Sequence, residues 1–191
     1  MEGRFAQVAA RCAAILLGGI AGSVAANGDS IALPPARETF ASPGGQYELL
    51  IAMRGAPGEW ARRGAEATLR STGNRTSAPL WQQPLPHSYR PRFALVSDDG
   101  TTALFDQWIN VLGPHAVTVI DRAGKVIASH AFDDVAAALG IGRARLAAGA
   151  RLGPWMQSRP SLDPSGTEAR VEAGGRTLAV RLADGALRAM P

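Results

Sequence analysis

The chain of 191 residues carries 20 lysines and arginines against 16 aspartates and glutamates, a formal net charge of +4 with its 3 histidines neutral. Lys125 is the only lysine, and the arginines occur singly or in pairs rather than in one basic stripe, which argues against a nucleic-acid-binding surface. Cys12 is the only cysteine, so an intrachain disulfide and every metal site that needs several thiolates are excluded.

The first 26 residues have the layout of an export signal, with two arginines ahead of an apolar run that ends in small residues. The run Cys12–Val24 is shorter than the roughly 18 to 20 apolar residues that span a bilayer. We therefore expect cleavage after Ala25 or Ala26 and a periplasmic or secreted protein without a stable membrane span. The alternative is an uncleaved N-terminal anchor.

Residues 27–39 include two adjacent prolines and no periodic apolar pattern, which predicts an extended lead-in. Residues 40–191 are predicted to form a single β-rich domain. Its first unit, at about 40–90, contains apolar side chains at alternate positions, namely Tyr47, Leu49, Ile51 and Met53. This period of two is typical of a half-buried strand.

A second unit, at about 93–132, repeats the plan of the first. It consists of strand, turn and strand, followed by a hairpin with its turn at Asp121–Gly124. Ser42–Gly45 aligns with Ser97–Gly100 at an offset of 55 residues, and both tetrapeptides are rich in turn-forming residues. The chain is therefore predicted to contain an internal repeat.

The pattern changes to helix over residues 133–152, where alanines follow two aspartates that suit a helix N-terminus. Gly140 and Gly142 interrupt this segment, so two short helices are expected. Residues 167–189 then contain two strand pairs with tight turns, and they are interpreted as a third, partial unit.

Three motifs resemble blades of WD40-like and YVTN-like β-propellers: the turn Ser97–Gly100, the aspartate before an aromatic at Asp106–Trp108, and the D-x-x-G hairpin Asp121–Gly124. The chain is also similar to secreted bacterial proteins that carry the same order of strand, D-x-W segment, D-x-x-G hairpin and short helix. The resemblance covers about residues 40–187. It implies interaction surfaces rather than a particular activity.

A closed propeller usually needs at least four blades of four strands, and the sequence offers fewer units, interrupted by helix. The predicted fold class is therefore mainly β, with open antiparallel sheets of two to three propeller-blade-like units and one or two short helices inserted near residues 133–150. Closure by a second copy of the chain, as a homodimer, is an alternative.

Asp98, Asp99 and Asp106 lie close together in the sequence, which raises the question of a catalytic or metal-binding cluster. Asp98 and Asp99 precede Gly100 in a pattern typical of a tight turn. In a regularly alternating strand, Asp106 would share a face with Leu104 and would point away from the turn. The spacing also fails the calcium-loop pattern. We therefore expect turn and strand roles for these carboxylates.

The hairpin places His115 and His130 on neighbouring strands near the same end, with Asp106 or Asp133 nearby. Two histidines and a carboxylate suit a metal site or an acid–base pair, although no known ligand spacing is present. Exposed or singly bonded histidines are the competing interpretation, and neither a cofactor nor a metal is expected. Trp60, in a polar loop, is the candidate for a ligand contact.

Residues 134–146 look like the helix-turn-helix of bacterial repressors. The export signal, the missing third helix and the strands on both sides argue against this interpretation, so DNA binding is a remote alternative and no nucleic-acid partner is expected.

The leading functional hypothesis is a non-enzymatic exported interaction or structural module, whose partner is an unknown protein or envelope component. The sequence lacks the G-x-S-x-G and phosphate-binding motifs that would name an enzyme class. The competing hypothesis is a hydrolase-like or metal-binding periplasmic enzyme that uses His115, His130 and Asp106.

Overall fold

In a computed structural model of the protein, the described residues are 34–55, 64–74 and 78–190. They form twelve β-strands, two α-helices and a one-turn 3-10 helix at Thr72–Asn74. The predicted signal segment 1–26, part of the predicted lead-in and Trp60 lie outside the described residues, so the predictions that concern them stay predictions.

The first sheet contains four antiparallel strands in sequence order. They are β1 (Arg37–Ala41), β2 (Tyr47–Met53), β3 (Ala65–Ser71) and β4 (Trp81–Pro84). Tyr47, Leu49 and Ile51 are buried, as their alternation predicts. Strand β1 begins at Arg37, which pairs with Ala52, and so starts within residues 27–39, which were predicted as an extended lead-in.

The second sheet also has four antiparallel strands in sequence order. They are β5 (Pro91–Val96), β6 (Thr102–Gln107), β7 (Val117–Ile120) and β8 (Val126–His130). The predicted hairpin turn joins β7 to β8, where the Asp121 carboxylate accepts hydrogen bonds from the backbone N–H groups of Ala123 and Lys125, both at 2.9 Å.

The third unit is a complete sheet, because four antiparallel strands pair in the order β12-β11-β10-β9. They are β9 (Ser161–Leu162), β10 (Glu168–Ala173), β11 (Arg176–Arg181) and β12 (Leu187–Met190). The prediction of a partial unit missed β9, which has only two residues in a proline-containing segment. The predicted class of mainly antiparallel, blade-like sheets is confirmed.

Two short helices, α1 (Phe132–Leu139) and α2 (Arg143–Ala148), connect the second and third sheets. Helix α1 ends at Gly140, whose left-handed backbone (φ 63°) suits glycine. The Arg176 guanidinium donates a hydrogen bond of 2.6 Å to the Leu139 carbonyl at this end. These bounds confirm two short helices interrupted where the sequence predicted.

The second sheet contributes to both hydrophobic cores. On one side, Leu104 and Ile120 join the core side chains of the first sheet, including Leu49 and Trp81. On the other side, a larger core contains side chains of the second and third sheets and of α1; its members include Phe105, Val117, Val135, Leu139, Trp155 and Leu178. The middle sheet is therefore apolar on both faces, a pattern seen where both faces of a sheet are covered.

The faces that point away from these cores are polar. In the first sheet, the Gln82 side chain donates to the Glu66 carboxylate at 2.6 Å. In the third sheet, the Arg188 guanidinium forms an ion pair of 2.7 Å with Glu168, which also contacts Arg170. These polar side chains on the two outer faces suit contact with water.

The first hairpin of each sheet uses the same kind of turn, at Ser42–Gly45, Ser97–Gly100 and Asp163–Gly166. In each case the backbone N–H of the final glycine donates to the carbonyl of the first residue, at 2.8, 3.0 and 2.9 Å respectively. The Asp98 carboxylate also accepts a 2.6 Å hydrogen bond from the Gly44 N–H. The sequence predicted the first two turns as equivalent and missed the third.

No helix among residues 34–55, 64–74 and 78–190 has the length and apolar character needed to cross a bilayer.

Candidate functional site at the loop end of the second sheet

The turn Ser97–Gly100 joins β5 to β6 and contains Asp98 and Asp99. Asp99 accepts hydrogen bonds from the Ser97 hydroxyl and from the Thr101 backbone N–H, the latter at 2.8 Å. These bonds lower the pKa of Asp99, although partial burial opposes them. These contacts agree with the turn role expected for Asp99, whereas the Asp98 carboxylate accepts from the Gly44 N–H of the neighbouring turn.

The opposite end of the second sheet, here called the loop end, brings together three buried polar side chains, those of His87, Arg90 and Asp106, and several partly buried ones. The chain reaches it just before β5, at the end of β6, just before β7 and at the end of β8. The residues that these positions supply are His87, Arg90, Arg92, Asp106, Trp108, His115 and His130. Asp106, His115 and His130 were predicted from sequence, whereas His87, Arg90 and Arg92 were not.

Asp106 has a left-handed backbone, with φ of 54°, and is the one non-glycine residue with positive φ in the part of the chain that the structure describes. Such a conformation interrupts the regular alternation on which the sequence-based placement beside Leu104 depended. Aspartate tolerates it better than most residues, and it is often found at functional sites. The Asp106 N–H keeps its sheet hydrogen bond of 2.9 Å to the Ala116 carbonyl.

The Asp106 carboxyl is 2% exposed, and its Oδ2 has no hydrogen-bond partner among the described residues. Burial raises the pKa of Asp106 to about 7, against a backbone hydrogen bond from Gln107 and the positive charge of Arg92, which both lower it. A carboxyl group with this pKa is partly protonated near neutral pH.

Arg92 lies opposite Asp106 in the sheet, because the flanking pairs are Pro91 with Gln107 and Phe93 with Phe105. Its Nε has no hydrogen-bond partner among the described residues. Gly153 packs against both side chains: a Cβ atom on this glycine would lie 2.7 Å from Arg92 Nε and 2.8 Å from Asp106 Oδ2. Two features therefore favour glycine at position 153: there is no room for a Cβ atom, and the backbone φ of 82° is one that other residues rarely adopt.

The other end of the Arg92 guanidinium holds the loop that follows β6. Its Nη2 donates hydrogen bonds to the Trp108 carbonyl and to the Asn110 side chain, and its Cζ lies 5.7 Å from the centre of the Trp108 ring. The following residues Ile109–Pro114, here called the apolar loop, contain no charged side chain. Val111 is 53% and Leu112 40% exposed.

Arg90 ties the same end to the first sheet. It is completely buried, its Nη2 forms an ion pair with Glu38, and its Nη1 donates to the Pro35 carbonyl at 3.2 Å. The guanidinium also lies 5.8 Å from the Trp108 ring. A buried arginine with these partners has a structural role, because its charge is compensated on several sides.

The three histidines have different partners. His130 Nε2 lies 2.8 Å from the Gly185 carbonyl, in the third sheet. His115 Nδ1 lies 3.3 Å from the Ser129 hydroxyl, and its ring centre is 5.3 Å from that of His87. The hairpin brings His115 and His130 to the same end of the sheet, but the contacts described for His115 are with Ser129 and His87.

His87 is 1% exposed, and neither of its ring nitrogens has a hydrogen-bond partner among the described residues. Burial, and to a smaller extent the nearby His115, lowers the pKa of His87 to about 3. Burial also lowers the pKa of His115. Both rings are therefore neutral at neutral pH.

Among the described residues, no group of three or more His, Cys, Asp or Glu side chains is arranged to hold a metal ion. A cavity of about 430 Å³ lies instead at the turn end, lined by Pro43, Asp98, Asp99 and residues 162–167. The carboxylates there accept backbone hydrogen bonds, as in Asp163, whose Oδ1 accepts from the Glu168 N–H at 2.9 Å.

A scan against models of known protein families finds no match, and a search of curated proteins finds no significant relative. Among solved structures, an oligogalacturonate lyase in complex with manganese matches with a TM-score of 0.47 and 12% sequence identity. The match covers 83% of this chain and 44% of that chain, so this chain spans less than half of that protein. The likeness is to a fold of β-propeller type and is too distant to transfer an activity, a substrate or a metal.

Proposed function

We propose that this chain is an exported, non-enzymatic interaction module that binds an envelope protein through its apolar loop. The observation that carries the proposal is the exposure of Val111 and Leu112 on a loop that Arg92 holds in place. Binding through an ordered loop costs little conformational entropy, because the loop does not have to become ordered when the partner binds.

The chemistry of the loop favours an apolar partner surface. Residues 109–114 have no charge, and the loop is tied at both ends, by Arg92 near its start and by the hydrogen bond of 3.1 Å from the Phe132 N–H to the Gly113 carbonyl near its end. An apolar contact centred on a few side chains is typical of the core of a protein–protein interface.

The contacts of the predicted catalytic residues support a non-enzymatic role. Asp106 lies against Arg92 and Gly153, His115 against His87 and Ser129, and His130 against the Gly185 carbonyl. His115 and His130 are thus engaged by groups of the protein itself, which favours a role in the fold over general acid–base catalysis for these two side chains.

Export is supported by the layout of residues 1–26. Expression of the full chain in a Gram-negative cell, followed by fractionation and intact-mass measurement, should give a periplasmic or secreted product that starts at residue 26 or 27. A cytoplasmic product of full length would contradict export without touching the apolar-loop proposal.

Site-specific photo-crosslinking tests the loop. A photoreactive residue at Val111 should give a discrete adduct with one envelope protein, and Leu112→Asp in the same chain should abolish the adduct. A photoreactive residue at Val126, which is 44% exposed on β8, provides the matched control and should give none.

The outcomes separate the alternatives. An adduct with the mass of two copies of this chain would mean that the partner is a second copy, in a homodimer, and not an envelope protein. Equal labelling from Val111 and Val126, or an adduct that persists in Leu112→Asp, would contradict a specific role for the apolar loop.

A further inference from the structure

His87 and His115 form a pair that the proposed function does not use. The two ring centres are 5.3 Å apart and the ring planes are inclined by 51°, so the rings are not stacked face to face. Both nitrogens of the buried His87 lack a partner among the described residues, although buried polar atoms are normally hydrogen-bonded. The two nitrogens of His87 are therefore available to bind a polar or ionic partner.

The separation of the rings fits a shared metal ion. With a metal–nitrogen bond of about 2.0–2.1 Å and a nitrogen about 1.1 Å from its ring centre, each ring centre lies about 3.2 Å from the metal. A tetrahedral nitrogen–metal–nitrogen angle then separates the ring centres by about 5.2 Å. The observed 5.3 Å agrees with this value.

The second contact of His115 has the form expected of a ligating histidine. Ser129 Oγ lies 3.3 Å from His115 Nδ1. If Nδ1 carries the proton and donates to this hydroxyl, Nε2 keeps its lone pair, and a hydrogen bond to the other ring nitrogen is the usual way in which proteins orient metal-binding imidazoles. His115 is only half-buried, which gives an ion access from solvent.

We propose that His87 and His115 bind one late first-row divalent ion, Zn²⁺ or Cu²⁺, through one nitrogen of each ring. Neutral imidazole nitrogens are good ligands for these ions, and Cu²⁺ binds more tightly than Zn²⁺ to such sites. Water completes the coordination, because no third acidic, histidine or cysteine ligand converges on the pair among the described residues.

Calorimetric titration with ZnCl₂ tests the proposal on the full chain, with Cys12→Ser in every protein to remove the only thiol. The parent protein should bind one ion, and His115→Gln should bind it at least tenfold more weakly. His130→Gln is the matched control and should bind as the parent does, since His130 Nε2 already contacts the Gly185 carbonyl.

Electron paramagnetic resonance of the Cu²⁺-loaded protein provides a second readout. The parent and His130→Gln should show coupling to two imidazole nitrogens, and His115→Gln should lose one of them. His87→Gln should behave like His115→Gln; if this buried substitution prevents folding, His115→Gln decides the matter alone.

Two results would overturn the site: no Zn²⁺ binding by the parent protein, or equal binding by His115→Gln and His130→Gln. Neither result bears on the apolar loop, whose crosslinks do not depend on metal.

Discussion

At the scale of single residues, the loop end combines two buried titratable groups that respond to pH in opposite directions. Asp106 has its pKa raised to about 7 and His87 has its pKa lowered to about 3, and burial is the main cause in both. Burial disfavours the charged form of each group, which is the anion for aspartate and the cation for histidine.

The sign for Asp106 follows from proton linkage. Between its ordinary pKa of 3.8 and about 7, the folded chain keeps a proton that the unfolded chain releases. The stabilising contribution of Asp106 is therefore complete below about pH 4 and is lost as the pH rises to about 7. His87 acts in the opposite sense, because the unfolded chain gains a proton as the pH falls below about 6.5.

Asp106→Asn should remove the first effect while keeping the left-handed backbone, which asparagine tolerates. The difference in free energy of unfolding between the parent and this variant should fall by about 2–4 kcal/mol from about pH 4 to about pH 7. Urea denaturation in the presence of a chelator measures this difference and leaves the contribution of His87 equal in both proteins.

Asp184→Asn is the control, because Arg181 and the Ala186 N–H lower the pKa of Asp184 to about 2. Its difference profile should be flat above about pH 4, since the contribution of a carboxyl with a lowered pKa is lost only at lower pH. A flat or rising profile for Asp106→Asn would show that the folded chain does not retain this proton.

Sequence reasoning placed Asp106, His115 and His130 at one end of a sheet, because hairpin geometry follows from turn chemistry. It could not find the contact between His87 and His115, since these residues lie in different loops and only tertiary packing joins them. It also assumed regular alternation at Asp106, whose left-handed backbone depends on the surrounding contacts rather than on the local pattern.

At the scale of elements, the segment after α2 covers the end of β5 and β6. Gly153 is its point of closest approach, where a Cβ atom would lie less than 3 Å from both Arg92 Nε and Asp106 Oδ2. The segment then continues to Trp155 and Met156, which are completely buried in the larger core. Packing by these large side chains holds the glycine against the loop end.

Gly153→Ala should therefore be more destabilising than a comparable change elsewhere. Gly166→Ala is the matched control, because Gly166 also has positive φ, of 70°, with no atom within 4 Å of its Cβ position. We expect about 1–2 kcal/mol for the control, from backbone strain alone, and about 1–3 kcal/mol more for Gly153→Ala, from steric overlap.

Urea denaturation midpoints measure both costs. Equal losses in the two variants would mean that the segment moves away from Arg92 and Asp106 without difficulty.

Short elements explain what sequence reasoning missed at this scale. Strand β9 has two residues, too few to show a period, and β1 starts inside a segment whose prolines predicted a lead-in. The helices were predictable, because Gly140 and Gly142 mark their boundaries and alanines favour helix between them.

At the scale of the whole domain, the middle sheet links the two cores. Leu104 and Phe105 are adjacent in β6, yet they belong to different cores, so the second sheet cannot unfold without exposing both. We therefore expect the described strands and helices to unfold cooperatively.

Leu49→Ala in one core and Leu178→Ala in the other should each lower the free energy of unfolding by about 2–5 kcal/mol within a single transition. Trp81 and Trp155 lie in the respective cores, so two single-tryptophan backgrounds, each with the other three of the chain's 4 tryptophans changed to Phe, report each core separately.

The midpoints from the two reporters should coincide for every variant. Leu80→Ala, on a side chain that is 40% exposed, is the control and should change the stability by less than about 0.5 kcal/mol. Two separated transitions, with only one shifted by Leu49→Ala, would show that the cores unfold independently.

The polar outer faces have a consequence for behaviour in concentrated solution. Two molecules that met through these faces would have to dehydrate ion pairs such as Arg188 with Glu168, a cost that such pairs rarely recover. Association of molecules through these outer faces into larger aggregates is therefore disfavoured, because it would remove the charged side chains from water.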